Sequence, residues 1–282
     1  MTEMLAAGPI YVYAVMGVET PAELPSVGID PARPVTVLPV GDVCAVVSHV
    51  RSELFNEEAV RAGLDDRAWL AANVLAHQRV LDGLVATDLP VIPMRFCTIY
   101  ADAGALAASL QRHNFAFAAE LERLSGKQEW GLKMAVDIQS LQTAMGADHP
   151  TLAGVTVDAD IERLRKQIAG MSPGAAFLLK KRLVNLIAER AQSISFGIAD
   201  ATYSSLTDVA LESVTIDLPK DRPEICLNAA FWLENARYPL FMERLEALAQ
   251  SFAPLGVHYE LSGPWPAHHF LRLALDMAEV GA

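Results

Sequence analysis

The sequence predicts an α+β protein with two ferredoxin-like domains joined by a helical segment. Three observations support this prediction. Short runs rich in β-branched and aromatic residues alternate with longer stretches of helical period. The alternation occurs in each half of the chain, and a weakly periodic stretch separates the two halves. Apolar residues make up 52% of the 282 residues, so the chain can bury a sizeable core.

The N-terminal half is predicted to contain four strands and two helices in the order β-β-α-β-α-β. The strands are rich in β-branched and aromatic residues and cover 10–16, 43–48, 91–96 and 130–136. The helices each have one apolar stripe and cover 66–85 and about 102–124. The proline-rich stretch between the first two strands predicts an extended connection, and Pro93 places the third strand at an edge or a bulge. We expect a small sheet with helices on one face.

The C-terminal half is predicted to begin after a linker at 138–157, where Gly and Pro turn signals replace the periodic pattern. The linker separates an N-terminal domain at 1–137 from a C-terminal domain at 158–282. Ser172-Pro173 is a favourable N-cap and N1 pair for a long helix. A β-β-α-β pattern follows, with strands at 213–217, 225–233 and 257–261. Its helix is predicted to bury Phe241, Leu245, Leu248 and Phe252.

Composition excludes several classes of protein. The net charge is −12, and such a chain repels phosphate, so general binding of nucleic acid or anionic lipid is not expected. No charge-free apolar run reaches the roughly 18 residues that a membrane helix needs. The N-terminal apolar run lacks a basic region, so it predicts a core strand and not a signal peptide. We therefore expect a soluble, cytoplasmic protein with no nucleic-acid or membrane partner.

Motifs for catalysis and cofactor binding are not found in the sequence. It contains no phosphate-binding glycine loop, no G-x-S-x-G and no H-E-x-x-H. The cysteines Cys44, Cys97 and Cys226 lie far apart and are expected to be buried small hydrophobes. His268 and His269 would point to opposite faces of a strand, so we do not expect them to bind one metal ion. The sequence thus predicts no catalytic residue, no cofactor and no metal.

His77 and Arg95 are polar residues at positions that are predicted to be apolar or half-buried. His77 lies on the apolar stripe of the first helix, and Arg95 lies within the third predicted strand. The simplest interpretation is that both are structural and are paired with hydrogen-bonding groups. The alternative is a small-molecule-binding or enzymatic protein that uses both residues. That alternative requires one concave pocket containing both side chains, and a histidine with a perturbed pKa.

Residues 161–190 contain seven basic and two acidic residues, in contrast to the acidic remainder of the chain. Lys180, Lys181 and Arg182 form the densest part of this basic region. Charge runs of this kind are commonly solvated helix faces. The alternative is a docking surface for an acidic partner protein. RNA binding is less favoured because no aromatic residues for base stacking are interleaved with the basic ones.

Seven short segments lie along the chain in a fairly specific order and spacing. They are Tyr11-Val-Tyr13, Ala45-Val-Val-Ser48, Trp69-Leu70 with His77, Pro93-Met-Arg-Phe96, Glu129-Trp-Gly-Leu-Lys133, Gly174-Ala-Ala-Phe-Leu-Leu-Lys-Lys-Arg182 and Gly263-Pro-Trp-Pro266. Together they resemble the GvpF/GvpL family of gas vesicle accessory proteins over nearly the whole chain. The family commonly has Gly at the position of Cys97 and an aromatic residue where His268-His269 stands. The cysteine indicates that the turn after the third strand does not strictly need a positive φ.

The resemblance implies two α+β domains and a non-enzymatic role in gas vesicles, the hollow protein shells of prokaryotic cytoplasm. It implies a minor vesicle component that binds the small, very hydrophobic shell protein and assists vesicle nucleation or assembly, limiting aggregation. The implied partners are this shell protein and other gas vesicle accessory proteins. We expect Arg95, Lys180, Lys181 and Arg182 to contact a partner. A purely structural wall component is a further possibility.

Overall fold

The structure, a computed structural model, describes residues 8–19, 21, 23–146, 159–172 and 176–273. It is an α+β fold with two antiparallel sheets. The chain divides into two compact units. The first unit extends to Glu129 and resumes at Pro264, and the second unit is Trp130–Gly263.

In its described residues, the first unit contains a five-stranded sheet and five α-helices. Its strands are β1 (Ile10–Gly17), β2 (Thr36–Val40), β3 (Val43–His49), β4 (Val91–Pro93) and β5 (Ile99–Tyr100). Its helices are α1 (Ser52–Phe55), α2 (Glu57–Asp65), α3 (Arg67–Val85), α4 (Ala103–Arg112) and α5 (Asn114–Leu124). The strand order is β2-β3-β1-β4, with β5 also paired to β1. A ferredoxin-like sheet has the same order, and here the proline-rich connection stands where the first crossover helix would be.

Strand β1 is the centre of this sheet and is buried along its length. A register shift between Val12 and Ala14 marks a bulge against β3. Tyr11, Tyr13 and residues of α3 belong to one core cluster, while α5 also packs against β1. Because consecutive strand residues point to opposite faces, the sheet must be covered on both. The expectation of helices on one face only is therefore wrong for this unit.

The third predicted strand is shorter than expected, because β4 ends at Pro93. Pro93 pairs with Ala14 of β1, and β4 lies at the edge of the sheet, as the proline indicated. Arg95 lies beyond the strand and is exposed, so its predicted half-buried strand position is wrong. Cys97 has a φ of 64°, which contradicts the expectation that this turn needs no positive φ. The amide and hydroxyl of Thr98 both donate to the Arg95 carbonyl and close the turn.

The described part of the second unit contains a four-stranded sheet and four α-helices. Its strands are β6 (Lys127–Val136), β7 (Glu212–Thr215), β8 (Ile225–Glu234) and β9 (Val257–Trp265). Its helices are α6 (Ile138–Gly146), α7 (Ala159–Ala169), α8 (Phe177–Thr207) and α9 (Tyr238–Phe252). The strand order β7-β8-β6-β9 is that of a ferredoxin-like β-α-β-β-α-β unit whose first strand is β6.

Strand β6 corrects the expected division of the chain. The sequence assigned 130–136 to the domain 1–137, but this strand lies between β8 and β9 in the second sheet. The predicted linker 138–157 begins with helix α6, which is capped by Asp137 and buries Leu141. The rest of that linker and Pro173 of the predicted helix start lie outside the described residues. Local periodicity identified β6 as a strand, whereas the sheet it joins depends on long-range pairing.

Candidate partner-binding surfaces

The first half of α8 forms a basic and apolar surface. The buried residues of α8 begin only at Ala191, and earlier residues face solvent or pack against α7. Phe177, Leu178 and Val184 are large apolar side chains that are 67%, 74% and 64% exposed. Exposed apolar groups of this size on a single helix segment are typical of an interaction surface. We call the segment 177–190 the α8 surface.

Lys180, Lys181 and Arg182 all lie exposed on the α8 surface. Lys181 and Arg182 line a groove of about 700 Å³ between α7 and α8, and Lys180 lies outside it. In the described part of the chain, none of these three side chains has an acidic partner. The acids in the groove lining are Asp160, which pairs with Arg163 at 2.9 Å, and Glu189. The structure thus brings two of the three predicted residues to one groove.

His77 is a buried part of an aromatic cluster in the first unit. Its Nδ1 lies 2.8 Å from the Tyr11 hydroxyl, which also accepts the Cys97 N–H at 3.0 Å. The imidazole ring stacks on Tyr13 and meets Phe96 edge-on. Burial, with the nearby His268, lowers the pKa of His77 to about 4, so the ring is neutral near pH 7. A neutral, buried imidazole that is hydrogen-bonded to Tyr11 fits the structural interpretation of this residue.

A cleft of about 470 Å³ in the first unit contains both His77 and Arg95. Arg95 lines it from the turn after β4, and α3 supplies His77, Gln78 and Val74. The other wall comes from a segment that the sequence analysis did not assign to any site. This segment, 264–273, begins with the last two residues of β9 and belongs to the first unit, and its residues His268, Leu271 and Leu273 line the cleft. We call it the C-terminal strap, and the cavity the Arg95 cleft.

Two buried glutamates fasten the C-terminal strap. Glu129 accepts the His269 backbone N–H at 3.0 Å and lies 2.6 Å from the His269 Nδ1. Burial raises the pKa of Glu129, although the hydrogen bonds from His269 act in the opposite direction. Glu120 accepts the Arg272 N–H at 2.8 Å and pairs with Arg123. Glu120 stands beside Leu121 on an apolar helix face, and that acidic residue was the one sequence signal for this anchor.

Cys44 is buried, and Cys97 and Cys226 are half-buried. Burial raises the pKa of the Cys44 thiol, and it raises those of Cys97 and Cys226 to about 11. These thiols are therefore protonated near pH 7 and poorly nucleophilic. No group of three potential metal ligands occurs among the described residues. Within the same residues, no helix is long and apolar enough to cross a membrane.

Comparison with known proteins gives consistent matches over nearly the full length of the chain. The family model "Gas vesicle synthesis protein GvpL/GvpF" matches residues 9–272. Gas vesicle protein L of Streptomyces sp. (strain CB03234) is 29% identical over 277 residues, covering 94% of this chain and 93% of that protein. Gas vesicle protein F of the same organism is 25% identical over 255 residues, covering 89% and 93%.

Two solved structures have the same fold. The crystal structure of GvpF from Anabaena sp. PCC7120 matches with a TM-score of 0.67 at 17% identity, covering 95% of this chain and 100% of that one. The crystal structure of GvpF from Microcystis aeruginosa matches with a TM-score of 0.60 at 18% identity, covering 94% and 99%. The family model spans far more than half of the sequence and includes the α8 surface and every residue of the Arg95 cleft lining except Leu273. The chain therefore belongs to the GvpL/GvpF family of gas vesicle synthesis proteins.

Proposed function

We propose that the chain is a minor gas vesicle component that binds the hydrophobic shell protein, assists vesicle nucleation and assembly, and limits shell-protein aggregation. Its family associates it with gas vesicles and with their organisation. The proposal adds the shell protein and other gas vesicle accessory proteins as direct partners, and the vesicle in the cytoplasm as the site of action.

The observation that supports this proposal most strongly is the α8 surface. Large apolar side chains lie exposed there beside three cations that have no acidic partner in the described residues. The apolar groups of a partner would cover these apolar side chains, and its acidic groups would pair with the three cations. Because the chain as a whole carries a charge of −12, its complex with a hydrophobic subunit would still be repelled from other such complexes.

The competing hypothesis, a small-molecule-binding or enzymatic protein that uses His77 and Arg95, met both of the requirements that the sequence set for it. Both residues line the Arg95 cleft, and the pKa of His77 is perturbed. A histidine with a pKa of about 4 is nevertheless a weak general base near pH 7, and its Nδ1 is already hydrogen-bonded to the Tyr11 hydroxyl. These facts favour a non-enzymatic role, with the cleft as a binding surface.

The test of this proposal reverses the charge of the α8 surface with Lys180→Glu, Lys181→Glu and Arg182→Glu in one variant. The matched control carries Arg61→Glu, Arg67→Glu and Arg79→Glu, which make the same change in net charge on α2 and α3. All six residues are exposed, so both variants should fold. Tagged wild type and variants are co-expressed with the shell protein, and the captured shell protein is quantified.

We expect wild type and the α2/α3 control to capture similar amounts of shell protein, and the α8 variant to capture several-fold less. The physical reason is that like charges at a contact repel an acidic partner, whereas the same charges elsewhere act only at long range. Equal capture by both variants would remove the α8 surface from the contact. No capture by the wild-type protein would contradict binding of the shell protein itself.

A further inference from the structure

We propose that the Arg95 cleft is a second docking site, which takes a polypeptide segment that presents apolar side chains and a carboxylate. This inference rests on the proposed function, because it assigns one gas vesicle partner a binding site on the first unit. It differs from the α8 surface, which lies in the second unit.

The walls of the cleft are largely apolar. They contain Val74 of α3, Ile92 and Pro93 of β4, Phe96 of the following turn, and Leu271 and Leu273 of the C-terminal strap. Val74 remains 40% exposed, although it lies on the helix face that the sequence predicts to be apolar. Covering such groups with an apolar side chain removes them from water and is favourable.

The charges of the residues that line the cleft favour a ligand with a carboxylate. No Asp or Glu occurs among the described residues that line it, although acidic residues outnumber basic ones by 34 to 22 in the whole chain. Arg95 has no acidic partner in the described residues. By contrast, Arg51, Arg61 and Arg123 of the same unit each form an ion pair with an Asp or a Glu of that unit. A guanidinium can hold a carboxylate through two parallel hydrogen bonds.

The neighbouring groups leave Arg95 available for this role. The Arg95 carbonyl is occupied by Thr98, which fixes the backbone of the turn while the side chain remains exposed. His77 and His268 also line the cleft, and burial lowers the pKa of both, so neither adds a fixed positive charge near pH 7. The site therefore presents one cation at the rim of an apolar cavity.

A polypeptide fits this cleft better than a free carboxylate. An exposed cation contributes little by itself to binding in water, because solvent screens the ion pair. The greater part of the affinity must come from apolar contacts along walls formed by α3, the β4 edge and the strap. A segment with apolar side chains next to Asp or Glu supplies both kinds of contact.

The experiment uses the full chain and two short fluorescein-labelled peptides, one rich in leucine and glutamate and one with glutamine in place of every glutamate. Binding is measured by fluorescence anisotropy. Arg95→Gln removes the charge, and Arg95→Lys keeps it without the bidentate geometry. Val74→Glu places a carboxylate in the cleft at an exposed helix position that tolerates a polar residue. Arg79→Gln, at an exposed position of α3 outside the cleft lining, is the control.

We expect the glutamate peptide to bind wild type and Arg79→Gln alike, to bind Arg95→Gln about threefold more weakly, and to bind Val74→Glu about tenfold more weakly. Arg95→Lys should lie between wild type and Arg95→Gln, and the glutamine peptide should bind wild type about as weakly as the glutamate peptide binds Arg95→Gln. Equal binding of the two peptides, or an equal effect of Arg95→Gln and Arg79→Gln, would overturn the proposal. Displacement of the peptide by octanoate at similar concentration would assign the cleft to small carboxylates and would also overturn it.

Co-purification of the same variants with the shell protein separates this inference from the proposed function. Loss of shell protein with Arg95→Gln and Val74→Glu, but not with Arg79→Gln, would identify the shell protein as the occupant. If wild type and all variants capture equal amounts, the shell protein is not the occupant of the cleft, the proposed function stands, and the peptide measurement decides the inference. If wild type captures none, the proposed function fails, and the peptide measurement alone decides the inference.

Discussion

At the scale of single residues, the Tyr11 hydroxyl connects the aromatic core of the first unit to the turn beside Arg95. It bonds His77 on one side and accepts the Cys97 N–H on the other. This second bond holds Cys97 in the left-handed region, with a φ of 64°. A non-glycine residue in this region is strained, and a β-branched residue is strained most.

Cys97→Val should therefore destabilise the protein by about 1–2 kcal/mol more than Cys226→Val does. Both cysteines are half-buried, so the two substitutions change side-chain burial in a similar way. Cys226 lies in strand β8, where a β-branched residue is favourable. Urea unfolding of the two variants measures the difference. Equal losses of stability would show that the turn does not depend on the backbone conformation of Cys97.

The pKa of His77 predicts how stability depends on pH. The folded value of about 4 lies below the ordinary value of 6.5, so the unfolded chain takes up the proton more readily. This group contributes stability above about pH 6.5 that is lost as the pH falls towards 4. By the size of the shift, the loss is at most about 3 kcal/mol.

His77→Gln should reduce the fall in unfolding free energy between pH 7 and pH 4.5, because glutamine does not titrate. His258→Gln, at an exposed position of β9, should leave the fall as it is in wild type. Urea unfolding at both pH values measures the fall in unfolding free energy for each protein, so a lower overall stability of His77→Gln does not affect the comparison. If both variants keep the wild-type fall, His77 is not the group that titrates.

At the scale of secondary-structure elements, most strands and the main helices could be predicted from local pattern. The helix predicted at about 102–124 is two helices, α4 and α5, which are separated at His113. Asp102 caps α4, and Gly126 with a φ of 69° follows α5. The sequence did not predict the short helices α1 and α2, helix α6, or the strands β2 and β5. In β2 a proline lies inside the strand, and the local signal for an extended connection outweighed the pairing of β2 with β3.

Apolar periodicity identified α8 as a helix but did not separate its two halves. The stripe continues through both, yet only the second half is buried in the core, from Ala191 onwards. Whether an apolar residue meets a core or solvent depends on which elements pack beside it, and a one-dimensional pattern does not contain that information. The exposed Phe177 and Leu178 were therefore visible only in the structure.

The two candidate sites were predictable to different degrees. Lys180, Lys181 and Arg182 stood out by charge density alone, and their exposure agrees with a surface role that remains a prediction. Arg95 was selected because it was predicted to lie half-buried within a strand, but it lies exposed in a turn. The strap residues His268 and Leu271 were not linked to Arg95, because they are more than 170 positions away in the sequence and come together only through the fold.

At the scale of the whole molecule, two ferredoxin-like sheets share a chain that leaves the first unit at Glu129 and returns to it at Pro264. In the second unit, apolar side chains of the α8 surface lie next to Lys180, Lys181 and Arg182, and in the first unit the apolar walls of the Arg95 cleft lie next to Arg95. None of these four cations has an acidic partner in the described residues. The remaining surface belongs to a chain of net charge −12. This combination suits a protein that covers an apolar partner and keeps the complex in solution.

The most direct test of this central claim is the solubility of the shell protein. Denatured shell protein is diluted into buffer that contains increasing amounts of the chain, and light scattering and the pelleted fraction are measured. We predict that scattering falls as the chain approaches equimolar amounts, and that the charge-reversed α8 variant has a weaker effect. Equal scattering with this chain and with serum albumin at the same concentration would contradict the claim.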